Sequence, residues 1–382
     1  MRSLRIAHIA DTHLGYKSNS LSNRDEDFMA SWFFACRAIV DSSPDIIIHA
    51  GDVFHNARPE WKALTGYTDG IKILLEANCP LFIIAGNHDT TSIHLNHTVF
   101  SFTSGIIPQV VATNDLLPSL HNLPELETDV VLVPHKALLD RHLNAKITDL
   151  VATMVPGRRR ILVSHGSIVK DDPTSEMGSV AIPHEITEHD WDYIALGHLH
   201  LSQPYGKKGW YSGSTERCGW SDYPANPAWT LVHLKSNGIL EHEQQFVPHM
   251  QMFQLPEMDC TGQADDDVIN EVVDSASYIE FPSVRANLRV RLTNLHFSRR
   301  RQVVSAIQRM LKKDHPELVV NIVLDADKQI LNTHEYSSPI EQMKGIKEYF
   351  LDFMEEMPYE PEFKESFRKE GMAALEKVTE NE

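Results

Sequence analysis

At 382 residues with 42% hydrophobic content, the chain is long enough for one large domain with smaller ones appended, and its composition is far from that of a disordered protein. No stretch reaches the run of about 18 apolar residues that a transmembrane helix needs, and the opening MRSLRIAHIADTHLGY reads as strand-end chemistry rather than a signal peptide, so a cytoplasmic or nucleoid-associated protein without membrane contact is expected. The formal charge of -18 argues against nucleic-acid binding by an overall field, since counterion release needs clustered Lys and Arg, although bound cations or a basic partner can reverse an acidic cleft.

Up to about residue 235, short β-rich apolar runs alternate with helical patterns, the sign of an α/β layered core. The runs are 4–10, 46–50, 81–85, 130–133, 161–163 and 193–196; residues 27–41 and 61–77 carry apolar side chains at helical spacing. From about residue 246 the character changes. A Pro- and Asp-containing stretch leads into strand-like 285–295, a helical pattern over 299–312 and strand-like 318–324, a β-α-β unit. The final stretch holds two helical patterns split near Pro358 to Pro361, the first opening on Ser338-Pro339-Ile340-Glu341, a cap, helix-starting proline and capping-box acid in sequence. The predicted division is 1–245, 246–335 and 336–382.

Nearly every apolar run breaks at once into polar residues: Asp11-Thr12-His13, Gly51-Asp52, Gly86-Asn87-His88-Asp89, Pro134-His135, Ser164-His165-Gly166 and Gly197-His198-Leu199-His200. In α/β sheets, ligands bind beyond the carboxyl ends of strands, so one site built from several loops is expected. The 21 histidines point to metal. Asp11 and His13, two apart in an extended segment, would share a face; Asp52 after a glycine suits a bridging carboxylate; Asn87 offers an amide oxygen; His165, His198 and His200 offer nitrogens. Hard divalent ions favour this mixture. His8 and His49 sit inside strands and read as core or supporting residues. The scattered Cys36, Cys79, Cys218 and Cys260 form no CxxC pair and read as small buried apolar residues.

The five motifs together resemble the calcineurin-like metallophosphoesterase superfamily. The segments IADTHLGY, HAGDVFHNARP, IIAGNHD, GHLH and YSGSTER resemble more narrowly the SbcD nucleases, relatives of the meiotic-recombination-eleven nuclease of double-strand break repair, over about residues 1–235. The resemblance implies a layered β-sandwich flanked by helices, a small α+β capping domain and a C-terminal helix-loop-helix. It implies two divalent ions, Mn2+ with Mg2+ as the alternative: one held by Asp11, His13, Asp52 and His200, the other by Asp52, Asn87, His165 and His198. His88 matches the histidine that protonates or stabilises the leaving oxygen, with Asp89 as an orienting carboxylate. His55 matches one implicated in catalysis in archaeal and eukaryotic members. The implied activity is Mn2+-dependent 3'-5' exonuclease action on duplex DNA with single-strand endonuclease action.

Arg299, Arg300 and Arg301 place three cations at a helix start, where the dipole disfavours them; with Arg285, Arg289 and Arg291 nearby they suggest a phosphate-contacting surface. The tail stripe Ile340, Met343, Ile346, Phe350, Phe353 and Met357, continued by Phe363, Phe367, Leu375 and Val378, needs a covering surface. The resemblance supplies an SbcC-type coiled-coil ATPase there, and a homodimer through the helix over 61–77. An enzyme of the same fold acting on small phosphoesters or cyclic nucleotides is the alternative; a scaffold that has lost catalysis is disfavoured because no ligand position is substituted.

Overall fold

The computed structural model describes residues 2–18, 23–90, 98–169, 181–282 and 285–324. In chain order the elements are β1 (Leu4–Ile9), α1 (Arg24–Asp41), β2 (Ile46–Ala50), α2 (Trp61–Leu75), β3 (Leu81–Ile84), α3 (Val99–Ile106), β4 (Val110–Thr113), β5 (Ser119–Leu123), β6 (Thr128–Val133), α4 (Leu143–Thr153) and β7 (Arg159–His165). There follow β8 (Ile168–Val169), β9 (Ile182–Pro183), α5 (His184–Thr187), β10 (Tyr193–Gly197), β11 (Gln203–Tyr205), β12 (Gly209–Tyr211), β13 (Ala228–Leu234) and β14 (Leu240–Phe246). The last are β15 (Gln251–Gln254), β16 (Met258–Asp259), α6 (Asp265–Ser277), β17 (Ala286–Thr293), α7 (Phe297–Asp314) and β18 (Leu318–Leu324).

Two six-stranded sheets, ordered β14-β13-β1-β2-β3-β4 and β11-β12-β10-β7-β6-β5, pack face to face. Alternation of side chains along a strand separates the layers. Leu4 and Ile6 of β1 and Ile46 and Ile48 of β2 meet Val130, Leu132, Ile161 and Val163 of the opposite sheet. The alternate residues Ala7, Ile9 and Ile47 pack outward beneath α1 and α2. Helix α1 buries Phe28, Trp32, Ala35, Cys36 and Ile39, a stripe at helical spacing, and its first turn carries Asp25, Glu26 and Asp27, which suit the positive end of the dipole. The outer face of the second sheet is covered by α4 and α5 through Leu143, Ile147 and Ile186. This is the helix-flanked sandwich expected from the sequence.

All six apolar runs form strands. The strands that escaped notice lie mostly at the edges: β14 alternates exposed and half-buried positions, and β5 is half-buried, so neither shows a continuous apolar run.

A third sheet of β15, β17, β16 and β18 is wholly parallel. With α6 and α7 it encloses its own core, including Leu288, Val290, Val303, Ile307 and Leu318. The β-α-β unit is present as β17, α7 and β18. Helix α6 went unread because Asp265, Asp266 and Asp267 fill its first turn, although Val268, Ile269, Val272 and Ala276 recur at helical spacing. Glu216 joins this unit to the sandwich: its Oε2 accepts from the Met250 amide at 2.9 Å while Oε1 lies 3.2 Å from Arg24. Arg285 pairs with Asp27 across the same junction.

The arginines at the start of α7 are partly engaged within the chain. Arg299 pairs with Asp265 and donates to the Gln263 carbonyl at 2.7 Å, so a carboxylate offsets the unfavourable dipole. Arg300 Nε donates to the Leu295 carbonyl at 2.9 Å, and Arg301 is exposed. Arg289 lies over the Trp220 ring, 5.2 Å from its centroid. The helix-loop-helix and its apolar stripe, read over 336–382, lie outside the described residues.

Candidate metal centre

The carboxyl ends of β1, β2, β3, β7 and β10 open onto one edge of the sandwich, and the loops there approach closely enough to share atoms. Asp11, His13, Asp52 and His198 have φ of 53°, 41°, 50° and 100°. These are left-handed conformations that cost energy for residues with side chains and persist where surrounding contacts enforce them. Asp11 and His13 therefore converge through two left-handed turns, not through the extended segment that their spacing suggested. Backbone bonds lock the turn to the next loop: the Asp11 and His13 amides donate to the Gly51 and Asp52 carbonyls, each at 3.0 Å. Gly86 has no space for a side chain, since a Cβ there would meet Asp52 Oδ1 at 2.1 Å and His165 Nε2 at 2.7 Å.

All seven residues predicted as ligands meet at this edge. His165 Nε2 lies 3.3 Å from Asp52 Oδ1 and 3.1 Å from Asn87 Oδ1, which is also 3.1 Å from His198 Nδ1. On the other side of Asp52, His13 Nε2 lies 3.7 Å from Oδ2 and 3.0 Å from His200 Nε2. Asp11 accepts from the His198 amide with both oxygens, at 3.1 and 3.0 Å. Ligand atoms of Asp11, Asp52 and His165 fall within 4.8 Å of one another. The donor set fits divalent cations: nitrogens and oxygens crowd together, and the His13 ring, 1% exposed, sets Nε2 nitrogen-to-nitrogen against His200. Asp52, central to both groups, has the position of a bridge.

Electrostatics divide the donors by the charge each carries without metal. Burial pushes the Asp11 carboxyl up to about 6, opposed by His165 and His200 and reinforced by Asp52. Burial disfavours charge on His165 too, but the adjacent Asp52 carboxylate outweighs it and carries the ring up to about 9. Against its own burial, Asp52 is held well below the usual carboxylate range by His165. Burial lowers His198 to about 3 and holds His13 well below its ordinary value. Those two rings are neutral at pH 7, the form that binds metal.

His88 and His55 border the site on its half-buried side. His88 Nδ1 lies 2.9 Å from the His55 carbonyl, the two rings stack with centroids 5.0 Å apart, and His13 stands edge-on to His88 at 4.8 Å. The expectation that Asp89 orients His88 is corrected. Its carboxylate accepts from the amides of Gly86 at 2.9 Å, Val53 at 3.0 Å and Phe54 at 2.7 Å, so it ties the Asp52 and Asn87 loops together. His8 and His49 are supporting residues, bonded to the Tyr193 hydroxyl at 2.7 Å and to Thr12 Oγ1 at 3.0 Å.

Two residues escaped sequence reasoning. Asp222 Oδ2 accepts from His200 Nδ1 at 2.7 Å, which directs Nε2 into the site, yet it occupies an ordinary Ser-Asp-Tyr-Pro turn that carries no local signal. Cys218, taken for a buried apolar residue, is only half-buried and has its Sγ beside His13 and His200.

Residues 4–216 match the model of the calcineurin-like phosphoesterase family. The chain is 27% identical over 202 residues to the DNA double-strand break repair protein Mre11 of Methanococcus maripaludis, covering 52% of each chain. It is 28% identical over 252 residues to the same-named protein of Archaeoglobus fulgidus, covering 62% of this chain and 55% of that one. Against the SbcD component of the nuclease SbcCD of Escherichia coli it is 30% identical over 277 residues, 62% of this chain and 66% of that one. The chain thus spans about half the length of these archaeal relatives. With the family model covering more than half of the sequence and the donor cluster in place, the chain belongs to the calcineurin-like phosphoesterase family of metal-dependent hydrolases.

Proposed function

We propose that the protein is a DNA nuclease that hydrolyses phosphodiesters with two divalent cations, Mn2+ by preference and Mg2+ as the alternative, and processes DNA ends in recombination, repair or replication. The observation that carries this reading is the placement of His88 beside seven convergent donors, in a chain similar to proteins named as nucleases. Asp11, His13, Asp52 and His200 would hold one ion and Asp52, Asn87, His165 and His198 the other. Bound there, the ions lower the pKa of a water and draw charge from the phosphoryl oxygens.

The remaining chemistry belongs to the chain. With Nδ1–H donated to the His55 carbonyl, His88 exchanges its proton at Nε2, where it serves a leaving 3'-oxygen. His55 positions His88 through that carbonyl and through ring stacking. Asp89 holds the loops in register. Duplex 3'-5' exonuclease and single-strand endonuclease action are the proposed outputs.

The unit from residue 246 to 335 is proposed as the DNA-capping domain, with Arg299, Arg300 and Arg301 contributing weakly. Residues 336–382 are proposed to bind an SbcC-type coiled-coil ATPase. A homodimer through α2 is supported by Trp61, 84% exposed at its start. Among the described residues no helix is long and apolar enough to cross a membrane, and the protein is proposed to act in the cytoplasm or at the nucleoid.

The test compares wild type, Asp52→Ala and His88→Ala on end-labelled duplex DNA and on a small aryl phosphodiester, with Mn2+, Mg2+ or chelator. Mn2+-dependent degradation of DNA by wild type alone supports the proposal. Cleavage of the small ester only, with or without the ATPase, overturns the DNA claim and favours the small-phosphoester alternative.

A further inference from the structure

Cys218 lies outside the ligand set proposed above, yet two separate contacts hold it against that set. Asp222 Oδ2, which anchors His200 at 2.7 Å, also accepts from the Cys218 amide at 2.8 Å. The Tyr16 hydroxyl donates to the Cys218 carbonyl. Tyr16 follows the loop that carries Asp11 and His13, while Asp222, on the same loop as Cys218, links that residue to His200. The result is a cluster in which ligand atoms of His13, His200 and Cys218 all fall within 4.8 Å of one another. One member, His13, is 1% exposed and faces His200 through Nε2 at 3.0 Å.

We infer that the His13/His200 position is a mixed nitrogen-sulfur site, in which Cys218 Sγ joins the two imidazoles on a thiophilic divalent cation such as Zn2+, Cd2+ or Co2+. Thiolate favours these ions over Mn2+, which gains most from oxygen donors, and Cys218 would add one sulfur to the two imidazoles and two carboxylates proposed for this ion. The cation displaces the thiol proton to solvent on binding, and no oxidant or reductant is involved. One half of the centre thereby discriminates among metals by a residue that the Asn87/His165/His198 half lacks, and Zn2+ competes with Mn2+ for it. The inference rests on the two-metal reading of this edge.

The experiment titrates Co2+ into full-length wild type and Cys218→Ser and records absorption spectra, with Cd2+ and Mn2+ affinities measured by calorimetry. The expected result is a near-ultraviolet sulfur-to-cobalt charge-transfer band in wild type that vanishes in the variant, while the visible cobalt bands persist. Cd2+ affinity is expected to weaken about tenfold or more, with Mn2+ affinity retained. That retention also certifies that the variant is folded; Cys218→Ala provides a second variant if serine perturbs the loop. Identical spectra in wild type and variants with Co2+ bound overturn the sulfur ligand alone. Failure of wild type to bind any of the three ions overturns the two-metal reading with it.

Discussion

His88 Nδ1 sits 2.9 Å from the carbonyl oxygen of His55, three residues beyond Asp52, and the two imidazoles stack at 27°. A carbonyl can only accept, so this contact fixes the proton on Nδ1 and leaves Nε2 as the exchanging atom. His88→Asn is expected to lower turnover by about 10²–10⁴-fold, with Mn2+ affinity unchanged by calorimetry. A parallel fall in affinity would assign His88 to metal holding instead.

Asp222 acts on the site through His200. Replacing it with Ala frees the imidazole to rotate and removes the acceptor that keeps Nε2 facing inward. Metal affinity is expected to drop about 10- to 100-fold, most strongly for the ion shared with His13, and Asp222→Asn should restore part of it. Unchanged affinity in Asp222→Ala would show that packing alone orients His200.

Gly86→Ala tests the close approach of the β3 loop to the carboxylate between the two donor groups. The added methyl would lie 2.4 Å from the Asp52 backbone nitrogen, which cannot swing away as a side chain does. Chemical denaturation should show a loss of about 1–3 kcal/mol in the metal-free protein, together with weakened binding of both ions. Wild-type stability and stoichiometry would mean that the loop relaxes freely.

The buried pair of Arg24 and Glu216, 2% and 0% exposed and 3.2 Å apart, joins α1 to the loop between β12 and β13. Arg24→Met strands a buried carboxylate that also holds the Met250 amide. A destabilisation of about 3–5 kcal/mol is expected, partly recovered by adding Glu216→Gln. Additive rather than compensating effects in that double-mutant cycle would refute the coupling.

Acid should destabilise the protein through His8. Burial lowers this ring from 6.5 to about 3, with His242 and His49 adding to the effect. Between those values the unfolded chain takes up a proton that the folded chain refuses, so stability rises with pH across that window and is lost as pH falls through it. The His8 contribution to the slope is about 1.4 kcal/mol per pH unit. His8→Asn should flatten the measured profile by that amount; a profile identical to wild type would show that His8 is protonated in the fold.

The sandwich strands beneath the site were legible because each apolar run is a local pattern that ends abruptly in chemistry, as at Ala10 to Asp11 and Ala50 to Gly51. The same locality hid β14, whose half-exposed edge needs no apolar run, and α6, whose acidic first turn masks its apolar stripe.

The sequence by itself marked the seven donor residues that the fold brings to one edge, because Asp, Asn and His at strand ends are written in adjacent positions and follow the order of the strands. Only the tertiary structure decided how they meet. Asp11 contacts His198 across 187 positions, Asp89 turns from its neighbour His88 to the Val53 and Phe54 amides, and Asp222 and Cys218 reach His200 from positions just beyond the YSGSTER motif. Hydrogen-bond partners in a buried site are selected by distance and desolvation after the sheets have closed, and those quantities have no counterpart in the spacing of residues along the chain.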